Sequence, residues 1–142
     1  MERYKVISLI LLIWAVLASA LAATFYMKAR AGEAGLITVS IGFKVKDGPI
    51  EWHNSTVVEA GSTLLDLTCT VANVNYTTYP GMGAFVNCIG DLCSEHPYYW
   101  MWWYWTGDWY EGPVAADRYM LCDGDIVVWY YEDTSVSPLP KP

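Results

Sequence analysis

Basic side chains are scarce beyond the first thirty residues of this chain. In residues 31–142 only Lys44, Lys46, Arg118 and Lys141 stand against fourteen carboxylates, a net charge of −10. That balance argues against nucleic acid as a partner, because phosphate contacts need positive charge. Histidine is nearly absent: His53 and His96 are isolated, and each reads as a surface or turn residue. The cysteines show one C-x4-C spacing and no second pair, too little for a zinc site. No nucleophile elbow, H-E-x-x-H, P-loop or dinucleotide fingerprint occurs. Without a catalytic set of residues, the chain reads as a non-enzyme. Phenylalanine is also sparse, three residues against eight tryptophans and eleven tyrosines.

Those tryptophans are concentrated. Nine of the thirteen residues from Tyr98 to Tyr110 are aromatic, and five are tryptophan. On a strand, Tyr98, Trp100, Trp102 and Tyr104 share one face, and Tyr99, Met101, Trp103 and Trp105 share the other. A half-buried strand needs only one apolar face, so the second face is surplus. It is either covered or it presents an aromatic platform.

Residues 6–27 form 22 consecutive residues without a charge, flanked by Arg3 and Lys5 before and by Lys28 and Arg30 after. The length suits a membrane-spanning helix. Small residues around Ala18–Ala22 also suit a cleaved secretory signal. Residues 1–30 are therefore a signal peptide or an N-terminal membrane anchor. Either reading places the remainder outside the cytoplasm, membrane-anchored or secreted. The even count of cysteines fits, reading as two disulfides in an exported domain. Of three possible connectivities, Cys88–Cys93 closing a local turn with Cys69–Cys122 joining distant elements is the preferred one. Asn54-Ser55-Thr56 and Asn75-Tyr76-Thr77 are glycosylation sequons.

Alternation marks a strand over Leu36–Val45, and Asp47-Gly48 a turn. A second strand region follows to Glu59, with Thr56–Glu59 its best-ordered part. Gly61-Ser62-Thr63 opens a short helix to about Ala72, capped by Ser62 or Thr63. Residues 73–83 read as loop, and Ala84–Ile89 as a short strand. The aromatic hairpin comes next, and Ile126–Tyr131 is the last strand. Residues 133–142, with three prolines, are expected to be a disordered tail. The layout is α+β, a single mixed sheet packed on one short helix, preceded by an N-terminal hydrophobic helix.

The order of these signals resembles the transcobalamin-like β-grasp domain of unassigned function (the DUF4430 group), related to the small C-terminal domain of transcobalamin and intrinsic factor. The resemblance is carried by Ile37–Ile41, Val57–Asp66, Gly83–Val86 with Ile89–Leu92, Tyr99–Gly107, Gly112–Tyr119 and Leu121–Glu132. It covers residues 36–132. The chain departs from the family in its hairpin, Tyr104-Trp105-Thr106-Gly107, and in its four cysteines. The resemblance implies a β-grasp fold more firmly than a ligand; a corrinoid is the one cofactor it suggests.

Residues 36–132 are thus expected to form a non-catalytic binding module. Its aromatic face, with Trp100, Trp102, Tyr104 and Trp109 as ligand-binding residues, would meet a small molecule, a glycan or a protein. The membrane is met through residues 6–27. The alternative is a structural subunit of a surface assembly or filament, joined through sheet edges. Asp123-Gly124-Asp125 reads as a turn rather than a calcium loop. Asp108 and Glu111 read as loop charges rather than a hydrolytic pair. No metal site is expected.

Overall fold

The computed structural model describes residues 2–33 and 35–142, which divide into two units at the boundary between Gly35 and Leu36. The first unit is a helix, α1 (Glu2–Glu33). Its stretch Arg3–Tyr26 is 24 residues, about 36 Å at ~1.5 Å per residue, against a bilayer core of ~30 Å. By length and composition it can cross a membrane, and a signal sequence would pass the same test. Ser19 and Thr24 return their hydroxyls to the carbonyls of Ala15 and Leu21, both at 2.8 Å. These two hydroxyls are thereby satisfied within the helix.

The second unit is α+β. Its elements are β1 (Leu36–Val45), β2 (Ile50–Glu59), α2 (Leu64–Val71), β3 (Val74–Tyr79), β4 (Gly83–Ile89), β5 (Leu92–Cys93), β6 (Tyr98–Trp105), β7 (Trp109–Glu111) and β8 (Ile126–Asp133). Five strands form a mixed sheet in the order β2-β1-β8-β6-β7, parallel only between β1 and β8. A second sheet of three strands, β3-β4-β5, lies beyond the single sheet expected.

Helix α2 begins where its cap dictates. Thr63 accepts from the Asp66 amide at 3.2 Å, and Asp66 accepts from the Thr63 amide at 2.9 Å, a reciprocal capping box. Leu64, Leu65 and Leu67 are buried against the sheet. Thr68, wholly buried, donates to the Leu64 carbonyl at 2.7 Å and accepts from the Trp129 indole at 2.8 Å, which ties helix to sheet.

The core gathers on the inner face: Val39 and Ile41 of β1, Val127, Trp129 and Tyr131 of β8, and Trp100 and Trp102 of β6. Alternation places Trp103, Val128 and Tyr130 on the outer face, where Ile50, Trp109 and Leu139 pack against them. Leu139 belongs to the tail that reads as disordered in sequence. The tail instead lies on the domain, because the outer face of β6 and β8 offers apolar surface to cover. Thr134 anchors its start on the Pro97 carbonyl (2.9 and 3.0 Å), and Lys141 pairs with Asp108 at 2.6 Å.

Two further expectations need correction. Residues 74–79 are a strand, β3, rather than loop; Val, Tyr and Thr suit a pleated edge. Cys69 and Cys122 are free, exposed thiols. The amide of Leu121 bonds the Ser62 carbonyl at the entry of α2, so Cys122 follows at that end. Cys69 lies seven positions further along the chain from Ser62, about 10 Å by helical rise. A disulfide spans Cα atoms only ~4.4–6.8 Å apart. Cys88 and Cys93 sit opposite each other on β4 and β5 and are bonded.

Candidate functional site

The expected ligand-binding residues do not converge on one surface. Trp100 and Trp102 are 4% and 6% exposed, part of the core. Their indole N–H groups are held by the carbonyls of Leu92 (2.9 Å) and Val114 (3.0 Å). Gly112 lies flat on Trp102: a Cβ there would sit 2.1 Å from the indole. Tyr104 shares the inner face, stacked between Tyr110 (5.8 Å between centroids) and Tyr119 (6.3 Å). Trp109 belongs to the outer face, edge-on to Trp105 at 5.3 Å.

Fixing Trp100 and Trp102 creates a pocket. Their faces form one wall, β4 contributes Phe85 and Val86, and the turns around it contribute Met82 and Val114. The pocket measures about 340 Å³, within the ~300–1,000 Å³ of small-ligand sites. No carboxylate, histidine, cysteine, serine or lysine side chain lines it among the described residues. Met82, at 75% exposure, stands at its mouth with the more sheltered Phe85 and Val114. Arg118 braces the approach from the Gly81 carbonyl (3.1 Å), and Asp117 holds the Ala84 amide (2.9 Å).

The remaining candidates behave as local structure. Asp123 accepts from the Thr38 amide (2.8 Å), and Asp125 from the Cys122 amide (2.9 Å) and the Tyr119 hydroxyl (3.3 Å). Burial, and then the Asp125 charge, push the Tyr119 hydroxyl up to about 12. Asp108 is held below the usual carboxylate range by its bond to Lys141 and by the Trp109 amide. His53 meets Phe43 edge-on at 5.7 Å, and His96 faces Tyr99 at 6.4 Å. Lys44 and Lys46 lie over the rings of Tyr130 (5.0 Å) and Tyr98 (4.4 Å), using two of the domain's few cations as aromatic cover.

One group escaped the sequence reading. Glu132, on the outer face of β8, is 1% exposed. Its Oε1 accepts the Trp103 indole N–H at 2.9 Å, while Oε2 is buried with no partner among the described residues. Desolvation pushes its carboxyl up to about 7; the Trp103 bond opposes that rise and Glu111 adds to it. In sequence it is merely the first acid after an aromatic strand.

The second unit is an α+β domain with a five-stranded mixed sheet, a small three-stranded sheet and one short helix. Comparison with family models and with curated proteins finds no match. Among solved structures the chain is similar to haptocorrin, in a crystal structure of that protein in complex with Cbi. The TM-score is 0.57 at 17% identity, over 70% of this chain. The chain spans only 26% of the haptocorrin chain, so the likeness is one of fold.

Proposed function

We propose that residues 36–142 form an extracytoplasmic, non-catalytic binding module whose pocket between β4 and β6 takes a compact, largely apolar molecule. The observation that carries this reading is the pocket wall itself. Trp100 and Trp102 have spent their only polar groups inside the protein, so they offer the pocket flat apolar faces. A ligand gains there by dispersion and desolvation rather than by hydrogen bonds. Met82 at the mouth supplies an adaptable apolar contact. The apolar helix and the Cys88–Cys93 disulfide support an extracytoplasmic location.

The similarity to a protein crystallised with Cbi brings corrinoids into the test, although a corrin ring with its amide side chains is too large and too polar to enter a pocket of about 340 Å³ and would meet only its mouth. The test is tryptophan emission of the full chain in lipid nanodiscs, titrated with corrinoids and with a panel of apolar ring compounds. Saturable quenching, abolished in Val114→Trp, is the expected result. The exposed Val114 can accept an indole that plugs the pocket without disturbing the core. A parent and a plugged variant that respond identically to every compound would overturn the reading.

A further inference from the structure

A second concavity lies on the outer face of the five-stranded sheet. Its floor is Ser40 of β1 and Ile126 of β8, register partners of modest size. One wall is Trp52 of edge strand β2; the other is Trp105 and Trp109 of the β6–β7 hairpin. Strands β2 and β6 are three places apart in the sheet, about 14 Å at ~4.8 Å per strand. The indoles lean into that gap, leaving a cleft of about 340 Å³. No charged side chain lines it among the described residues.

Its rim carries Asn54, the acceptor of the sequon Asn54-Ser55-Thr56. The chain bulges at this point: Val39 pairs with Thr56 and Ile41 with His53, so Asn54 and Ser55 together oppose Ser40. Ser55 takes a positive φ of 53°. A bulge on an edge strand frees backbone for an outside partner and aims a side chain. Asn54 is exposed and its amide has no protein partner among the described residues. The other sequon differs in its side chain: Asn75 of β3, also beside a register shift, accepts from Asn87 at 3.2 Å.

The three wall tryptophans also stand apart. Trp100, Trp102, Trp103 and Trp129 each donate their indole N–H to a protein acceptor. Among the described hydrogen bonds, Trp52, Trp105 and Trp109 donate theirs to none. Two of them, Trp52 and Trp105, are 38% and 44% exposed. Flat apolar faces with unspent donors, beside small polar groups and without charge, suit a saccharide. Its C–H faces stack on indole and its hydroxyls accept the N–H bonds.

We propose that Asn54 is N-glycosylated and that its own glycan docks in this cleft, the proximal sugars lying between Trp52 and the Trp105–Trp109 pair. Attachment joins Asn54 Nδ2 to the anomeric carbon of an oligosaccharide activated as a polyprenyl phosphate or diphosphate. The bond from that carbon to the phosphate oxygen breaks, and the phosphate leaves with the electron pair. One Nδ2 proton passes to a base of the transferring enzyme. The sugar is then tethered at the rim of its binding surface, so docking is intramolecular and needs little intrinsic affinity.

The proposal rests on the extracytoplasmic location argued above, and its test keeps the two apart. The full chain is purified from its producing cells, and protease added to intact cells reports which side the domain faces. Glycopeptide mass spectrometry is expected to find Asn54 occupied. Glycosidase trimming, or Asn54→Gln, is expected to raise acrylamide quenching of tryptophan and shift emission to the red. Trp105→Ala with Trp52→Ala should erase that glycan-dependent difference while Asn54 remains occupied. An unmodified Asn54 on a protease-accessible domain overturns the proposal alone, as does an occupied Asn54 whose glycan leaves quenching unchanged. A domain protected inside the cell overturns both readings.

Discussion

Seven tryptophans of the globular domain fall into two sets that composition alone cannot separate. Trp100, Trp102, Trp103 and Trp129 are at most 6% exposed, and each indole N–H meets an acceptor inside the protein. Trp52, Trp105 and Trp109 line an outer cleft, and none of their indoles is bonded within the described residues. The difference is a matter of cover. A buried indole must place its N–H on a protein acceptor or lose a hydrogen bond; an indole facing solvent or a ligand need not. Satisfied N–H groups therefore mark the tryptophans that build the fold, and unspent ones mark those available to a partner.

The largest effect expected from breaking this comparison is at Trp102. Trp102→Ala should cost about 3–5 kcal/mol, the range for deleting a large buried aromatic side chain. Gly112→Ala is the complementary probe, since its methyl would overlap the Trp102 indole. Both are read as shifts in denaturant midpoint at unchanged slope. A Trp102→Ala domain as stable as the parent would remove Trp102 from the structural set.

Next is the acceptor rather than the ring. Thr68→Val preserves shape but leaves the Trp129 N–H buried and unpaired. The expected loss is about 1–3 kcal/mol. Thr68→Ser, which keeps the hydroxyl, should recover much of it.

The alternation of Tyr98–Tyr104 and the helix start at Thr63 were legible because each depends on neighbours in sequence. Period two put Trp100 and Trp102 on one shared face, and Ser62 or Thr63 read as the cap; that the shared face is the inner one, and that Thr63 with Asp66 forms the cap, are findings of the structure. What covers the outer face was not legible. That depends on Leu139 returning across Trp103 and Val128 from a stretch whose prolines suggest disorder. Trp100 and Trp102, expected on a free platform, are core side chains whose faces line a pocket. Trp52 was passed over, although a tryptophan flanked by Glu51, His53 and Asn54 on an edge strand has little to bury it. The pairing of Cys69 with Cys122 failed because cysteine counting carries no distance.

Glu132 tests whether the outer face is part of the fold below Trp103. Its folded-state carboxyl lies at about 7, against an ordinary value of 4.5. Between those values the folded domain holds a proton that the unfolded chain releases. Stability from this site is therefore fully present below about pH 4.5 and is lost as pH rises through about 7. Glu132→Gln cannot ionise, keeps the acceptor for Trp103, and places an amide where Oε2 lacks a partner. It should equal the parent at pH 4 and exceed it by about 1–2 kcal/mol at pH 8. Equal stability at both pH values would mean the carboxylate is solvated in solution.

The smallest effect is the one that gives the comparison its meaning. Trp105→Ala removes an exposed ring whose main protein contact is the edge of Trp109 at 5.3 Å. One such aromatic contact is worth about 0.5–1.5 kcal/mol beyond burial, and the lower end applies where solvent reaches both rings. The expected loss in the unglycosylated domain is therefore no more than about 1 kcal/mol, several-fold below Trp102→Ala. The same substitution made with the glycan in place should cost more, because it then removes the sugar's stacking partner as well as the Trp109 contact. The two backgrounds form a double-mutant cycle between Trp105 and the glycan at Asn54. A coupling energy of zero would leave Trp105 an ordinary surface residue. A coupling larger than the loss seen without glycan would show that the unspent indoles of the outer cleft are held in reserve for a ligand that the chain carries itself.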